Sequence, residues 1–265
     1  MSALPRITVI TICRNRLPEL QRTVASVLSQ AYPALEYWIV DGASSDGTPG
    51  YLEELKAQGV RSLSEPDQGI ADAMNKGVRL ASGEWIAHLH ADDEYLPGAL
   101  DAVAGAAAAG DADVLCGWIV KRERTGEVVY RCDPSRLPAE MTINHPATFA
   151  RRELFEQLGG FDPAYRNCMD YDLFLRQLHA GARFRVIPRA LARMAWGGQS
   201  ERSAWRTLAE CHDIRRRHPG SAWHRSQAFF VLLLVRLKTR EALQRAGLGG
   251  LVAWYRRRFS RLKKG

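Results

Sequence analysis

The first 90 residues alternate between two periods of apolar and polar positions. Residues 6–12 (RITVITI) are rich in β-branched side chains and predict a strand, whereas residues 17–28 repeat Leu and Val at helical spacing. The same alternation continues along the chain. A strand at 36–41 (EYWIVD) precedes a helix, and a helix at 69–81 precedes a strand at 84–90 (EWIAHLH). Strands that alternate with helices predict an α/β fold with a mainly parallel sheet flanked by helices.

Local signals add further elements. A short strand is predicted at 60–64, and a helix is predicted to begin at Pro49 with Thr48 as its N-cap, because Thr caps helices and Pro suits the first helical position. After residue 120 the pattern is irregular, and the predicted elements are a hairpin around Gly126, helices at 152–158 and 169–181, a strand at 182–188, and helix from about Ser203 onward.

Charge is distributed unevenly along the chain. The formal net charge is +8 over 265 residues, yet residues 225–265 hold eleven Lys and Arg against one acid, Glu241. The body is therefore close to neutral and the tail is cationic. The five cysteines are scattered without a C-x-x-C pair, which argues against a disulfide framework or a zinc site and favours a reducing cytosol.

Carboxylates follow two of the predicted strands. Asp41 ends the strand at 36–41, and Asp92 and Asp93 follow the strand at 84–90, so a parallel sheet would bring all three to the edge where such sheets bind ligands. Asp41 can also be explained without a ligand, because Asp is a common residue in loops and at helix N-caps. Adjacent carboxylates repel each other, and a divalent cation with oxygen ligands relieves that repulsion. Such an ion can bridge the diphosphate of a nucleotide.

Other nucleotide chemistries lack their motifs. The loop after the first strand has no Gly-x-Gly-x-x-Gly, which disfavours a dinucleotide oxidoreductase, and GIADAMNKG lacks the spacing of a P-loop. A sugar-phosphate nucleotidyltransferase would carry a Gly-rich loop after its first strand, and none is present. This enzyme class and a non-catalytic basic nucleic-acid-binding protein are kept as alternatives. The second is weakened because the basic residues concentrate in the tail and no RNA- or DNA-binding motif is visible.

Several blocks resemble the family 2 glycosyltransferases, in the right order: TVITICRNR, SVLSQAYPALEYWIVDGASSDGT, SEPDQGIADAMNKGVRLASGEWIAHLHADDEY, HPATFARRELFEQLGGFDPAYRNCMDYDLFLR and WGGQS. The resemblance covers about residues 5–200 and is greatest to bacterial enzymes of colanic-acid, exopolysaccharide and lipopolysaccharide assembly. It implies a GT-A fold with a catalytic domain at 1–200, made of a nucleotide-sugar half (about 1–95) and an acceptor half (about 96–200). A helical, basic C-terminal extension would follow at 201–265.

The resemblance also implies roles for single residues. Asp41 would accept a hydrogen bond from a uracil-type base, Asp92 would contact the ribose, and Asp93 would ligate Mg²⁺ or Mn²⁺. The other residues beside the nucleotide would be Thr11, Arg14, Asn15, Asp67, Asn75 and Lys76. For Lys76, a solvated charge on a helix explains the residue equally well.

A second acidic pair occurs in MDYDLFLR. On a helix Asp170 and Asp172 lie about 200° apart, so they cannot both face one site. The resemblance implies that Asp170 is the general base, which takes the proton of the acceptor hydroxyl opposite the leaving diphosphate and so inverts the anomeric centre. Asp172 would cap the helix or pair with Arg176.

Three more residues are acceptor or loop candidates. His145 would touch the acceptor, although a single His is more often structural. Gly197 and Gly198 in WGGQS would give backbone freedom to a loop that folds over the diphosphate, although a plain turn is equally consistent with them.

These observations predict an inverting, metal-dependent glycosyltransferase of cell-surface polysaccharide biosynthesis. It would move a single sugar from a nucleotide-diphosphate sugar, with UDP- or dTDP-sugars favoured, to a hydroxyl of a lipid-linked glycan. No run approaches the ~20 apolar residues of a membrane span, and the Gln-x-x-Arg-Trp element of processive synthases is absent. The apolar run 228–235 and the basic cluster after it predict a cytoplasmic protein bound peripherally to the anionic inner face of the bacterial cytoplasmic membrane, with no nucleic-acid partner.

Overall fold

The computed structural model describes residues 4–123, 126–194 and 203–218, in which a nine-stranded sheet lies between helices. The strands are β1 (Ile7–Cys13), β2 (Leu35–Asp41), β3 (Arg61–Ser64), β4 (Trp85–His88), β5 (Glu94–Tyr95), β6 (Val114–Glu123), β7 (Gly126–Tyr130), β8 (Thr148–Arg151) and β9 (Phe184–Met194). The helices are α1 (Leu17–Leu28), α2 (Thr48–Leu55), α3 (Ile70–Leu80), α4 (Ala99–Ala107), α5 (Arg152–Leu158), α6 (Met169–His179) and α7 (Ala204–Arg217). The predicted α/β class with flanking helices is confirmed.

The sheet is parallel in its first half and mixed in its second. The strand order is β3-β2-β1-β4-β8-β6-β9-β5, with β7 paired to β6. Strands β1 to β4 pair in parallel, as the alternating pattern predicts. Beyond them β8 runs antiparallel to both β4 and β6, and the predicted hairpin around Gly126 joins β6 to β7. Antiparallel neighbours need no crossover helix, which is why the regular alternation is lost in this half.

Apolar side chains cover both faces of the sheet. Successive strand residues point to opposite faces, and Val9 and Ile10 of β1 are both fully buried. One apolar layer packs against α1, α2 and α4, and the other against α3, α5, α6 and α7. Burial of one Val, Leu or Ile side chain contributes ~1.5–3 kcal/mol. The two layers together fix the positions at which the parallel strands end.

Some predicted boundaries are wrong for local reasons. Helix α2 begins at Thr48 and its N-cap is Gly47, because the Asp46 carboxylate accepts the Thr48 N–H (3.0 Å) in place of a cap by Thr48 itself. Strand β4 ends at His88, earlier than predicted, and β9 continues to Met194, later than predicted, because it pairs along β6.

The C-terminal part of the chain is described as far as His218. Helix α7 packs on the apolar layer formed with α3, α5 and α6 through Ile214, which is fully buried. The boundary predicted between residues 200 and 201 stays a prediction, and the tail from 219 onward lies outside the described residues. Within the described part of the chain, no helix has the length and apolarity of a membrane span.

Candidate active site

A cavity of about 780 Å³ opens where β1 and β4 end. Its wall combines the start of the β1–α1 loop, the N-terminal part of α3, the turn at residues 90–93, and the segment that leads into α6. We call the turn at 90–93 the acid turn. Open α/β sheets bind ligands at the carboxyl ends of their strands, so the cavity lies where the sheet predicts a binding site.

The cavity brings together about half of the predicted site residues. Those that line it are Arg14, Asp67, Asp92, Asp93, His145 and Asp170. Thr11, Asn15, Asp41, Asn75 and Lys76 are not part of this lining. Gly197 and Gly198 lie outside the described residues.

Asp41 and Thr11 are enclosed by neighbouring side chains. Asp41 is fully buried, and its carboxylate accepts hydrogen bonds from the Ser44 N–H (3.0 Å), the Ser64 hydroxyl (2.6 Å) and the Ser44 hydroxyl. The Thr11 hydroxyl pairs with the Tyr37 hydroxyl at 2.9 Å. The Asp41 bonds hold the loop after β2 and the end of β3 to the end of β2, and the Thr11 bond joins β1 to β2.

Asn15 joins the loop after β1 to the loop after β2. It has a positive φ of 51°, a conformation that Asn adopts more easily than most residues. Its backbone N–H donates to the Ser44 hydroxyl (2.7 Å), and its side-chain oxygen accepts the Ser45 N–H (2.8 Å). Asn15 therefore fixes the loop after β1 to the loop after β2.

Asn75 and Lys76 of α3 make contacts within the protein. The Asn75 amide donates to the Phe161 carbonyl and accepts the Phe161 N–H, both at 2.8 Å. Lys76 bonds the Pro66 carbonyl (2.6 Å) and the Glu65 carboxylate (2.8 Å), and the bond to Glu65 raises the pKa of Lys76. Asn75 thus anchors the loop after α5, and Lys76 anchors the segment before α3.

Because Gly42 has no side chain, Asp67 has room to lie against the end of β2. A Cβ added at residue 42 would collide with the Asp67 carboxylate and would lie 3.2 Å from Arg14 Cδ. Asp67 also accepts the Gly69 N–H (2.9 Å) at the start of α3. Glycine at position 42 is therefore needed for Asp67 and Arg14 to line the same wall.

The acid turn has a strained backbone. Asp92 has φ 143°, in a region that residues with a side chain rarely adopt and that costs ~1–3 kcal/mol. Arg16 forms an ion pair with its carboxylate at 2.9 Å. Burial raises the pKa of Asp92, and Arg16 opposes that rise. Asp93 is 3 % exposed, so the two carboxylates sit in different surroundings.

Helix α1 holds the acid turn and the segment after it through backbone atoms. The Thr23 hydroxyl donates to the Asp93 carbonyl (2.8 Å) and accepts the Asp92 N–H (3.2 Å). Ser26 accepts the Tyr95 N–H (3.0 Å), and Gln30 bonds the backbone of residues 96 and 99. Sequence reasoning missed Arg16 and Thr23. The available signal was the polar Thr23 among the buried apolar positions of α1.

Neutral imidazoles form the floor of the cavity beside the acid turn. His90 stacks on His145 at 5.2 Å between ring centroids, and His88 stacks on the same ring at 5.7 Å. Burial lowers the pKa of His90 to about 3 and that of His145 to about 4. Both ring nitrogens of His145 lack a hydrogen-bond partner within the described residues. A neutral imidazole of this kind can bond a hydroxyl of a bound ligand.

The two acids of α6 face different surroundings. Asp170 lines the cavity and accepts the Tyr171 N–H (2.8 Å), and burial raises the pKa of Asp170 to about 6. Asp172 bonds Arg176 at 2.8 Å and His218 at 3.2 Å. The predicted Asp172–Arg176 pair is confirmed. Asp170 is thus the one of the two that lines the cavity, and its raised pKa is typical of carboxyl groups at functional sites.

The acid turn offers oxygen donors for a hard cation. Asp92 and Asp93 line the cavity side by side, and carboxylate oxygens are the ligands that Mg²⁺ and Mn²⁺ prefer. No group of three or more His, Cys, Asp or Glu side chains with metal-binding geometry occurs in the described ranges. A cation here would therefore take part of its coordination from water and from a ligand, as Mg²⁺ commonly does. The donor set fits such an ion.

Comparison with known proteins identifies the fold and the family. The family model described as Glycosyl transferase family 2 matches residues 8–167. An uncharacterized glycosyltransferase of Mycobacterium tuberculosis is 32% identical over 183 residues, which cover 66% of this chain and 70% of that protein. A PGL/p-HBAD biosynthesis glycosyltransferase of Mycobacterium bovis is also 32% identical, over 179 residues and the same shares of both chains.

Solved glycosyltransferases have the same fold. The mannosyltransferase PcManGT of Pyrobaculum calidifontis, in complex with GDP-Man and Mn²⁺, superposes with a TM-score of 0.69 at 23% identity, over 95% of this chain and 79% of that chain. TarS of S. aureus in complex with UDP-GlcNAc gives 0.65 at 18% identity, over 79% of this chain and 64% of that chain. The chain thus spans just under two thirds of the solved TarS chain. The predicted GT-A fold is confirmed, and the chain belongs to glycosyl transferase family 2.

Proposed function

We propose that this glycosyltransferase is an inverting, metal-dependent enzyme that moves one sugar from a nucleotide-diphosphate sugar to a hydroxyl of its acceptor. The observation that carries the proposal is a single cavity lined by Asp92 and Asp93 of the acid turn and by Asp170 of α6. Its volume of about 780 Å³ falls in the range of small-molecule sites.

Asp170 is the proposed general base. The acceptor oxygen forms a bond to the anomeric carbon, the bond from that carbon to the diphosphate oxygen breaks, and the hydroxyl proton moves to the Asp170 carboxylate. With a pKa of about 6, Asp170 is ionised at pH 7 and is more basic than an ordinary carboxylate. A positioned base of this kind typically contributes ~10²–10⁴ in rate. Attack opposite the leaving group inverts the anomeric centre.

Asp93, with Asp92 beside it, would hold Mg²⁺ or Mn²⁺. The ion would neutralise charge on the leaving diphosphate. Support comes from the oxygen donors of the acid turn and from the Mn²⁺ bound by PcManGT. Arg14 and Arg16 line the same cavity and add positive charge for the diphosphate.

The nucleoside of the donor is assigned to the wall that carries Arg14 and Asp67. Both residues line the cavity beside the end of β2. The carboxylate of Asp41, predicted to accept from a uracil-type base, is enclosed there by Ser44 and Ser64 and is not part of the lining. A UDP- or dTDP-sugar is the proposed donor, and the UDP-GlcNAc bound by TarS supports it. His145, with both ring nitrogens unpartnered among the described residues, is the proposed contact of a sugar or acceptor hydroxyl.

The acceptor is proposed to be a lipid-linked glycan of cell-surface polysaccharide biosynthesis, met at the inner face of the cytoplasmic membrane. Support comes from residues 225–265, where eleven Lys and Arg stand against one acid. Basic residues near an anionic leaflet contribute ~1 kcal/mol each. We expect the full chain to float with phosphatidylglycerol-containing vesicles at low salt, and a chain ending at His224 not to float. Equal flotation of both chains would contradict this role of the tail.

The donor is tested by thermal shift and product analysis. UDP-, dTDP- and GDP-sugars are screened with and without Mn²⁺, because a ligand that binds only the folded state raises the melting temperature. The expected product with acceptor is a nucleoside diphosphate and a glycoside of inverted configuration by NMR. Release of pyrophosphate would instead indicate a nucleotidyltransferase, and a retained configuration would refute attack assisted by Asp170.

A further inference from the structure

The N-terminus of α6 is capped by a residue that lies 42 positions beyond its N-cap residue. The N-cap residue of α6 is Cys168, whose side chain makes no capping hydrogen bond. Glu210 of α7 supplies the missing acceptor: its carboxylate accepts the N–H groups of Arg166 (3.1 Å), Asn167 (2.8 Å) and Cys168 (3.0 Å). Hydrogen bonds to a carboxylate are about twice as strong as neutral ones.

A second set of bonds fixes the same segment. The Asn167 side chain donates to the Ser203 hydroxyl (2.8 Å) and to the Thr207 hydroxyl (2.9 Å) at the start of α7. Arg166, Asn167 and Asp170 line the cavity, whereas Glu210 is half-buried and is not part of the lining. Glu210 therefore contacts the segment that forms this wall of the cavity without lining the cavity itself.

We infer that Glu210 is a positioning residue for Asp170: its three hydrogen bonds to the backbone of 166–168 set where the carboxylate at the second position of α6 meets the cavity. The inference deepens the proposed function and rests on it, because it takes Asp170 as the base. A carboxylate before a helix also stabilises the helix N-terminus electrostatically. Glu210 thus influences both the position of the Asp170 carboxylate and its pKa.

The charge of Glu210 shifts the pKa of Asp170 in a direction that can be measured. Burial is the main cause of the raised pKa of Asp170, and the negative charge of Glu210 adds to it. The thiols of Cys168 and Cys211 also interact electrostatically with Asp170. The charged groups that share the cavity lining with Asp170 include Arg14, Arg16, Asp92, Asp93 and Arg166. Removal of the Glu210 charge lowers the pKa of Asp170. Because the base must be ionised, the acid limb of the pH–rate profile then moves to lower pH.

The test compares Glu210→Gln with Glu210→Asp and with the control Glu156→Gln. Glu156 is a surface carboxylate of α5 that pairs only with Arg152 of its own helix within the described residues. UDP-GlcNAc, dTDP-glucose and GDP-mannose are each supplied with Mn²⁺, and nucleoside diphosphate release is measured from pH 5 to 9. For Glu210→Gln we expect kcat to fall at least ~10-fold with the donor KM within ~2-fold, as loss of an interaction made only in the transition state predicts.

The two variants at position 210 separate the effect of the carboxylate charge from the effect of side-chain length. Glu210→Asp keeps the charge on a shorter side chain, so kcat should fall while the acid limb stays in place. Hydrogen exchange of the amides of 166–168 should accelerate in both variants and not in Glu156→Gln. If Glu210→Gln does not fold, Glu210→Asp still measures the loss of reach.

Two outcomes overturn the inference. One is a folded Glu210→Gln whose kcat, acid limb and amide exchange match those of the parent. The other is a lowered melting temperature with unchanged kcat and acid limb, which would make Glu210 only structural. A parent that releases no nucleoside diphosphate, or Asp170→Asn with parental turnover, would instead refute the proposed function. The amide exchange of 166–168 still decides whether Glu210 positions this segment.

Discussion

Asp170→Asn should remove turnover and at the same time stabilise the protein above pH 6. The folded protein holds the pKa of Asp170 at about 6, against a value of 3.8 for an unperturbed Asp. This difference of about two units corresponds to ~3 kcal/mol, at ~1.4 kcal/mol per unit. Because the folded pKa is raised, the protonated form favours folding, and stability is lost as pH rises through the folded pKa.

The size of the effect depends on pH in a defined way. At pH 8 the folded protein carries the full cost of the buried carboxylate, so the neutral Asn should add up to ~3 kcal/mol to the free energy of unfolding. At pH 5 Asp170 is mostly protonated in the folded state, and the gain should fall to about half of that. The Asn oxygen can still accept the Tyr171 N–H, so the helix start is preserved.

Urea unfolding at pH 5 and pH 8 measures the gain, and nucleoside diphosphate release measures turnover. Turnover should fall by ~10² or more, with donor affinity within a few-fold of the parent. Asp111→Asn, at an exposed carboxylate that pairs with Arg185, is the matched control and should not reproduce the pH-dependent gain. Equal stability of parent and Asp170→Asn at both pH values would refute the burial argument.

Three further substitutions test other parts of the site. Asp93→Asn should abolish the Mn²⁺-dependent part of donor binding by calorimetry, because the diphosphate would lose its neutralising ion. Asn75→Ala should lower the free energy of unfolding by ~1–3 kcal/mol, since it leaves the backbone groups of Phe161 unpaired, while donor affinity stays near the parental value. Gly42→Ala should weaken donor binding by displacing Asp67, with the melting temperature as control.

Each of these measurements can also contradict the structure. Equal Mn²⁺-dependent binding by Asp93→Asn would move the metal site elsewhere. A large loss of donor affinity with little loss of stability in Asn75→Ala would indicate that Asn75 contacts the nucleotide, as the family resemblance implies. Unchanged donor affinity in Gly42→Ala would separate Asp67 from the nucleotide.

Local periodicity was sufficient for the strands and helices of the first 90 residues because both faces of that part of the sheet are covered by apolar layers. It also placed the two carboxylates of the acid turn directly after a predicted strand. The role of Asp170 was implied by the family resemblance instead, and it stays a prediction. It was insufficient for β8 and for the length of β9, whose pairing partners are distant in the chain.

The supporting contacts of the site could not be predicted from pattern. Thr23 reaches Asp93 across 70 positions and Asn75 reaches Phe161 across 86. Such bonds depend on how helices settle on the sheet, and no local spacing encodes them. The same is true of the three hydrogen bonds from the segment before α6 to Glu210.

The contacts of α1 with residues 92–99 have a consequence for how this site can change. Among the described residues, Thr23 and Ser26 of α1 and Gln30 just after it make their hydrogen bonds with this segment through its backbone atoms. Its path is therefore independent of most of the side chains it carries, so exposed positions there can be exchanged while the two carboxylates keep their place. Substrate preference could then drift during evolution, or be diversified in a library, at little risk to the folding of the acid turn.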